Sequence, residues 1–119
     1  MLCARAIQMF LPGIPQVYYV GLLAGINDEQ ARVEQHDGRA VNRRNYSTEE
    51  LESIIHTSIV TKQLELIKLR NTHPAFEGVC RLKADRDTLS IDWEHENAVC
   101  SLRMNLSNRS FSIHEDDTL

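Results

Sequence analysis

Leu11 to Asp28 reads LPGIPQVYYVGLLAGIND. A Pro12-Gly13 turn opens it, an apolar segment from Ile14 to Val20 follows, and Gly21 and Gly25 hold the exit. The apolar residues are consecutive rather than alternating, the pattern of a strand buried on both faces. Pro15 has no amide to donate, so it belongs at the strand's first position. A strand of this kind sits inside a parallel sheet or a barrel. A chain of 119 residues has little else to cover it with.

On the N-terminal side, residues 2–11, LCARAIQMFL, are uninterrupted helix formers stopped by Pro12-Gly13. No Ser, Thr, Asp or Asn precedes them as a cap. Either the helix frays at a natural terminus, or it is the second half of a helix whose beginning lies elsewhere. On the C-terminal side, residues 21–46 form a long loop with glycines at 21, 25 and 38. It carries organised polar groups, Asn27-Asp28 and then Gly38 to Arg44 (GRAVNRR), and loops of such length are usually functional or disordered. We read it as a binding-site loop. Ser47 and Glu50 then stand at capping-box spacing ahead of Leu51, Ile54 and Ile55, which predicts a helix start. His56-Thr57-Ser58 breaks and recaps it, and a second helix runs over 59–71. There Ile59, Val60, Leu64, Leu66, Ile67 and Leu69 spread over more than half the circumference, so this helix should be buried from more than one side. Pro74 forbids its continuation.

From Gly78 the period changes to two. Cys80, Leu82 and Ala84 alternate with Arg81 and Lys83; Leu89, Ile91 and Trp93 alternate with Ser90 and Asp92. Ala98, Cys100, Leu102 and Met104 make a third run, and Phe111 and Ile113 a shorter fourth. The separators Asp85-Arg86-Asp87, His95-Glu96-Asn97 and Ser107-Asn108 are turn-rich. The spacing predicts an antiparallel meander with one wet face, anchored by Trp93. The chain is therefore expected to be α+β, divided at about residue 77.

Composition narrows the function. Thirteen basic residues against 17 acidic ones give a net charge of −4 with histidine neutral, and no basic stripe suggests a nucleic-acid surface. Cys3, Cys80 and Cys100 are odd in number and widely spaced, which reads as reduced thiols of a cytoplasmic protein. His36, His56, His73, His95 and His114 show no metal spacing, so neither a metal nor a cofactor is expected. No stretch is long and apolar enough for a membrane span, and Pro12-Gly13 does not resemble a signal-peptide cleavage site.

The run PGIPQVYYVGLLAGIND, then GRAVNR at Gly38 to Arg43, then Tyr46-Ser47 opening a helix, resembles the C-terminal part of sucrose phosphorylases. These belong to the α-amylase superfamily, whose related phosphorylases act on glucosyl glycerate and sucrose phosphate esters. The resemblance is dense over residues 10–75 and weak across the β region. It implies that Ile14–Val20 is the last strand of a (β/α)8 barrel, that 59–71 is the last barrel helix, and that residues 1–77 end the catalytic barrel. Residues 78–119 would form the C-terminal antiparallel β domain. A barrel takes roughly 250 residues, so the chain would be a C-terminal fragment.

The same resemblance implies a retaining glucosyl transfer from sucrose or a related α-glucoside to phosphate, run by two carboxylates on earlier barrel strands. None of their motifs is present, so no catalytic residue is assigned and the chain alone should be inactive. Asp28, Glu29, Glu34 and Asp37 match no catalytic position and are expected to be solvated loop acids. Arg43, in Val41-Asn42-Arg43, matches the arginine of the family's INR motif at the mouth of the active site. Its guanidinium suits bidentate binding of phosphate or an anionic acceptor; Arg44 is the weaker candidate. Asn27-Asp28 matches too, either as ligand contact or as side chains bonding the loop's own backbone. Tyr18 and Tyr19 are expected in the core, and Cys80 and Cys100 as inert inward thiols. The partners implied are sugar and phosphate in an intact enzyme, and a second copy of the chain that would cover orphaned barrel surface. The other reading is a non-enzymatic, self-associating α+β protein.

Overall fold

Alternation at period two puts alternate side chains on opposite faces of a strand, and the C-terminal half of the chain uses this throughout. A computed structural model describes residues 1–23 and 45–117. Four strands, β1 (Val79–Ala84), β2 (Thr88–His95), β3 (Ala98–Asn105) and β4 (Ser110–Asp117), form one antiparallel sheet in the order β1-β2-β3-β4. The register aligns the apolar residues in rows. Leu82 faces Ile91, which faces Leu102, which faces Ile113; Ala84, Leu89, Met104 and Phe111 form the next row. Ile91, Cys100, Leu102 and Met104 are buried; full burial of each large side chain is worth about 1.5–3 kcal/mol. The turns lie where the polar separators predict them. Asp85 N–H donates to the Thr88 carbonyl at 2.9 Å, and Asn105 Oδ1 accepts from the backbone of Ser107 and Asn108.

Helix α1 (Leu2–Phe10) starts without a side-chain cap, and the Leu11 amide donates to the Ile7 carbonyl at its end. Ala6, Met9 and Phe10 are its buried residues. After Leu11 the chain turns at Gly13, whose φ of +108° favours glycine. Helix α3 (Thr48–Ile54) is capped as its sequence requires: Ser47 Oγ accepts from the Glu50 amide at 3.1 Å. Helix α4 (Ser58–Thr72) follows a break at residues 55–57, and Pro74 diverts the chain into a 3₁₀ turn, Pro74–Glu77. Gly78 then enters β1 so close to β2 that a Cβ would run into the Glu94 carbonyl oxygen and lie 2.7 Å from the Cβ of His95.

Residues 14–20 depart from the strand that their apolar run predicts. Ile14–Tyr18 has no strand assignment, Tyr19–Leu22 makes a single helical turn, α2, and Ile14 is 93 % exposed. Tyr18 and Tyr19 are exposed as well, so they are not core residues. The reason is physical: a strand exists only through hydrogen bonds to neighbours. The four strands of the sheet pair with one another in chain order, and none of them pairs with Ile14–Tyr18. An apolar run records the environment it suits without supplying that environment.

Two units result. One comprises Met1–Pro15 with Glu65–Leu119 and holds the sheet; the other is Gln16–Leu64. Helix α4 contributes to both.

Candidate functional site

Arg43, the residue singled out for anion binding, lies outside the described residues, together with Asn27, Asp28, Glu29, Glu34, Asp37 and Arg44. The chain on either side of residues 24–44 is described, and it is tied together. Tyr19 on α2 meets Tyr46 edge to face, with ring centroids 6.2 Å apart and planes at 82°. Tyr18 packs on Tyr19 in the same manner at 4.7 Å. Below them Gln63 of α4 is wholly buried, and its Nε2 donates to the Leu22 carbonyl at 3.0 Å. This bond satisfies a carbonyl at the end of α2, which a four-residue helix leaves open. The two described stretches that flank residues 24–44 are thus joined by an aromatic pair and a buried amide.

A second cluster lies in the sheet-bearing unit. The Arg70 guanidinium stands 4.7 Å from the centre of the Phe76 ring and 4.8 Å from that of Trp93, and its Nη2 donates to the Gly13 carbonyl at 2.8 Å. Phe76 also meets Phe10 edge to face at 5.2 Å, and the Trp93 indole Nε1 donates to the Phe10 carbonyl. Trp93 is therefore the anchor that its place in the alternation predicts. Arg70 was not legible in the same way, since a lone basic residue on a helix gives no sign of what it stacks against. Desolvation lowers the pKa of Arg70, against the raising effect of Cys80. Burial pushes the Cys80 thiol up, partly opposed by the charge of Arg70, and burial takes Cys100 to about 12. Neither thiol is a nucleophile at neutral pH. His73 Nδ1 accepts from the Ala75 amide at 3.2 Å, capping the 3₁₀ turn, while its Nε2 lies 4.0 Å from Glu115. These contacts hold the fold and offer no acid–base pair to a substrate.

On the wet face, an open groove of about 530 Å³ runs past Ser90, Arg103 and Ser112. Arg103 is engaged there with Asp92 at 2.7 Å. Burial raises the Asp92 carboxyl, but hydrogen bonds from Ser101 and Arg103 and the charges of Arg103 and Arg81 outweigh it, and the net shift is downward. Among the described residues no group of three His, Cys, Asp or Glu is arranged to hold a metal, and no helix is long and apolar enough to cross a membrane.

No protein-family model matches the chain. Individual relatives do. The sucrose 6(F)-phosphate phosphorylase of Thermoanaerobacterium thermosaccharolyticum is 43 % identical over 94 % of this chain and 23 % of its own length. The glucosylglycerol phosphorylase of Marinobacter adhaerens is 39 % identical over 98 % of this chain and 24 % of its own. The crystal structure of sucrose 6F-phosphate phosphorylase from Thermoanaerobacter thermosaccharolyticum matches 98 % of this chain with a TM-score of 0.92 and 42 % identity, over 24 % of that enzyme. Over nearly its whole length the chain is similar to the C-terminal part of enzymes of the sucrose phosphorylase group. It spans about a quarter of the length of the relatives it matches, and the match to this C-terminal part agrees with the α+β fold class. The described part of the chain carries the sheet, the helices and the two stretches that flank the segment containing Arg43.

Proposed function

We propose that this chain is a segment of a retaining glucosyl phosphorylase, an enzyme that moves glucose from sucrose or a related α-glucoside to phosphate, and that it has no activity by itself. The observation that carries the reading is identity of about 40 % along nearly the whole chain to enzymes of this one reaction class. Arg43 is its proposed contact with phosphate or an anionic acceptor. The division near residue 77 is proposed as the boundary between the end of the catalytic barrel and the C-terminal β domain, and the cytoplasm as the compartment. Inactivity follows from the chemistry: a retaining transfer needs two carboxylates about 5–5.5 Å apart across the scissile bond, and no acid here matches either one. The test is phosphate-dependent release of glucose 1-phosphate by the purified chain. Reproducible turnover above blank would overturn it.

A second reading, a non-enzymatic protein that associates with itself, is favoured by the exposure of Ile14, Tyr18 and Tyr19. Light scattering at several concentrations separates the two: a persistent monomer removes the second reading.

A further inference from the structure

The sheet has two open edges of opposite charge. Its strands pair in the order β1-β2-β3-β4, so among the described residues no strand pairs with the outer side of β1 or of β4. β1 is exposed along nearly all its length, with Val79 at 60 % and Leu82 at 53 %, and it carries Arg81 and Lys83 and no acid. β4 carries Glu115, Asp116 and Asp117 and neither lysine nor arginine. Charge on an edge strand is a common guard against edge-to-edge pairing. Here the guard has a gap: each edge repels its own kind, and the two edges attract each other.

We infer that β4 of one copy of this chain pairs with β1 of the next, extending the sheet from copy to copy. β1 and β4 run in opposite directions in the meander, so copies laid side by side continue the antiparallel pattern. The register that keeps the faces aligned sets Leu82 of one copy against Ile113 of its neighbour. That prolongs the row Leu82, Ile91, Leu102, Ile113, whose two inner members are fully buried while Leu82 at its end is exposed. On the wet face the same register puts Lys83 opposite Ser112 and Arg81 diagonal to Asp116, within reach of cross-strand contact. Arg81 gives up little, since its pair with Glu94 at 3.1 Å is an exposed one. A twofold pairing of β1 with β1 would instead set Arg81 against Lys83 or against itself. The contact is head to tail, so it does not close at two copies. It uses a different surface from Ile14, Tyr18 and Tyr19, and it holds whether or not the chain is a segment of a phosphorylase.

The test follows the full chain by sedimentation velocity over a concentration series. The weight-average mass is expected to climb past that of a dimer. Salt at about 1 M, where screening acts within about 3 Å, should weaken association severalfold. R81E/K83E gives β1 an acidic wet face, and S112K/D116K gives β4 a basic one; all four positions are exposed. Each variant alone should associate at least tenfold more weakly than the parent chain. An equimolar mixture should regain the parent's association, because every edge then meets one of opposite charge. Trp93 fluorescence and far-UV circular dichroism confirm that both variants are folded, and the concentration and salt series needs no variant at all. A monomer at every concentration, a closed dimer, association indifferent to both variants, or a mixture no better than its components would each overturn the inference. Glucose 1-phosphate release by the chain alone overturns the functional reading instead, and leaves the edge pairing standing.

Discussion

The indole Nε1 of Trp93 donates to the carbonyl oxygen of Phe10 at 2.6 Å, a buried bond across 83 positions of sequence. It fastens the end of α1 to the middle of the sheet. Trp93→Phe keeps most of the apolar volume and removes the donor, leaving a buried carbonyl unsatisfied. The expected cost is about 1–3 kcal/mol, read as a lower urea midpoint with an unchanged slope.

Arg70 works beside it through two faces of one group: the plane lies over Phe76 and Trp93, and the edge donates to Gly13. Lysine keeps the charge and loses the planar fork. Arg70→Lys should therefore destabilise the sheet-bearing unit by about 1–2 kcal/mol, while Lys68→Arg, at an exposed site on the same helix, should change little. Equal effects in urea titrations would show that charge alone matters.

What was legible in the sequence divides along locality. The β meander could be read because each strand pairs with the next, so turn and register are both written nearby: Asp85, Asn97 and Asn108 mark turns that exist. The Ser47 cap is equally local. Ile14–Val20 misled because strand pairing depends on partners distant in sequence, and an apolar pattern cannot say whether they are present. Arg70 and Gln63 escaped notice for a related reason. A stacked guanidinium and a buried amide are defined by what meets them in space, and their neighbours in sequence carry no trace of it. Arg43 was legible only through its motif.

Burial holds the Cys100 thiol at about 12, against the ordinary value of 9.0. A raised native pKa means that the folded state keeps its proton where the unfolded state has lost it. The stabilising contribution is complete below pH 9 and is lost as the pH climbs towards 12. Alkaline urea titrations should show Cys100→Ala with a shallower loss of stability over that window than the parent chain. In the native state at pH 8 a thiol-specific disulfide reagent should label Cys3 first, since its sulfur is partly exposed beside Arg109, and leave Cys100 unmodified until denaturant is added.

Gly78 is a contact as well as a joint. A methyl group there meets the Glu94 backbone, which cannot swing aside as a flexible side chain would. Gly78→Ala is expected to cost about 1–3 kcal/mol and to loosen the pairing of Val79 with Glu94, visible as faster amide exchange at that end of β1.

For Arg43 the measurement belongs in the assembled enzyme. Arg43→Ala should raise KM for phosphate by about tenfold or more, the scale of one charge-assisted bond, with sucrose-type substrates affected less. An unchanged KM would remove the proposed role.

Helix α4 crosses from one unit to the other at Leu64 and Glu65. Among the described residues, Val60 and Gln63 are buried on its first half, whereas the second half sits in the unit that holds Leu66, Ile91, Trp93 and Leu102. Starting a helix is the costly step, and adding to one is cheap. Turns held in the second half are therefore a template on which the first half, Ser58–Leu64, is cheap to add.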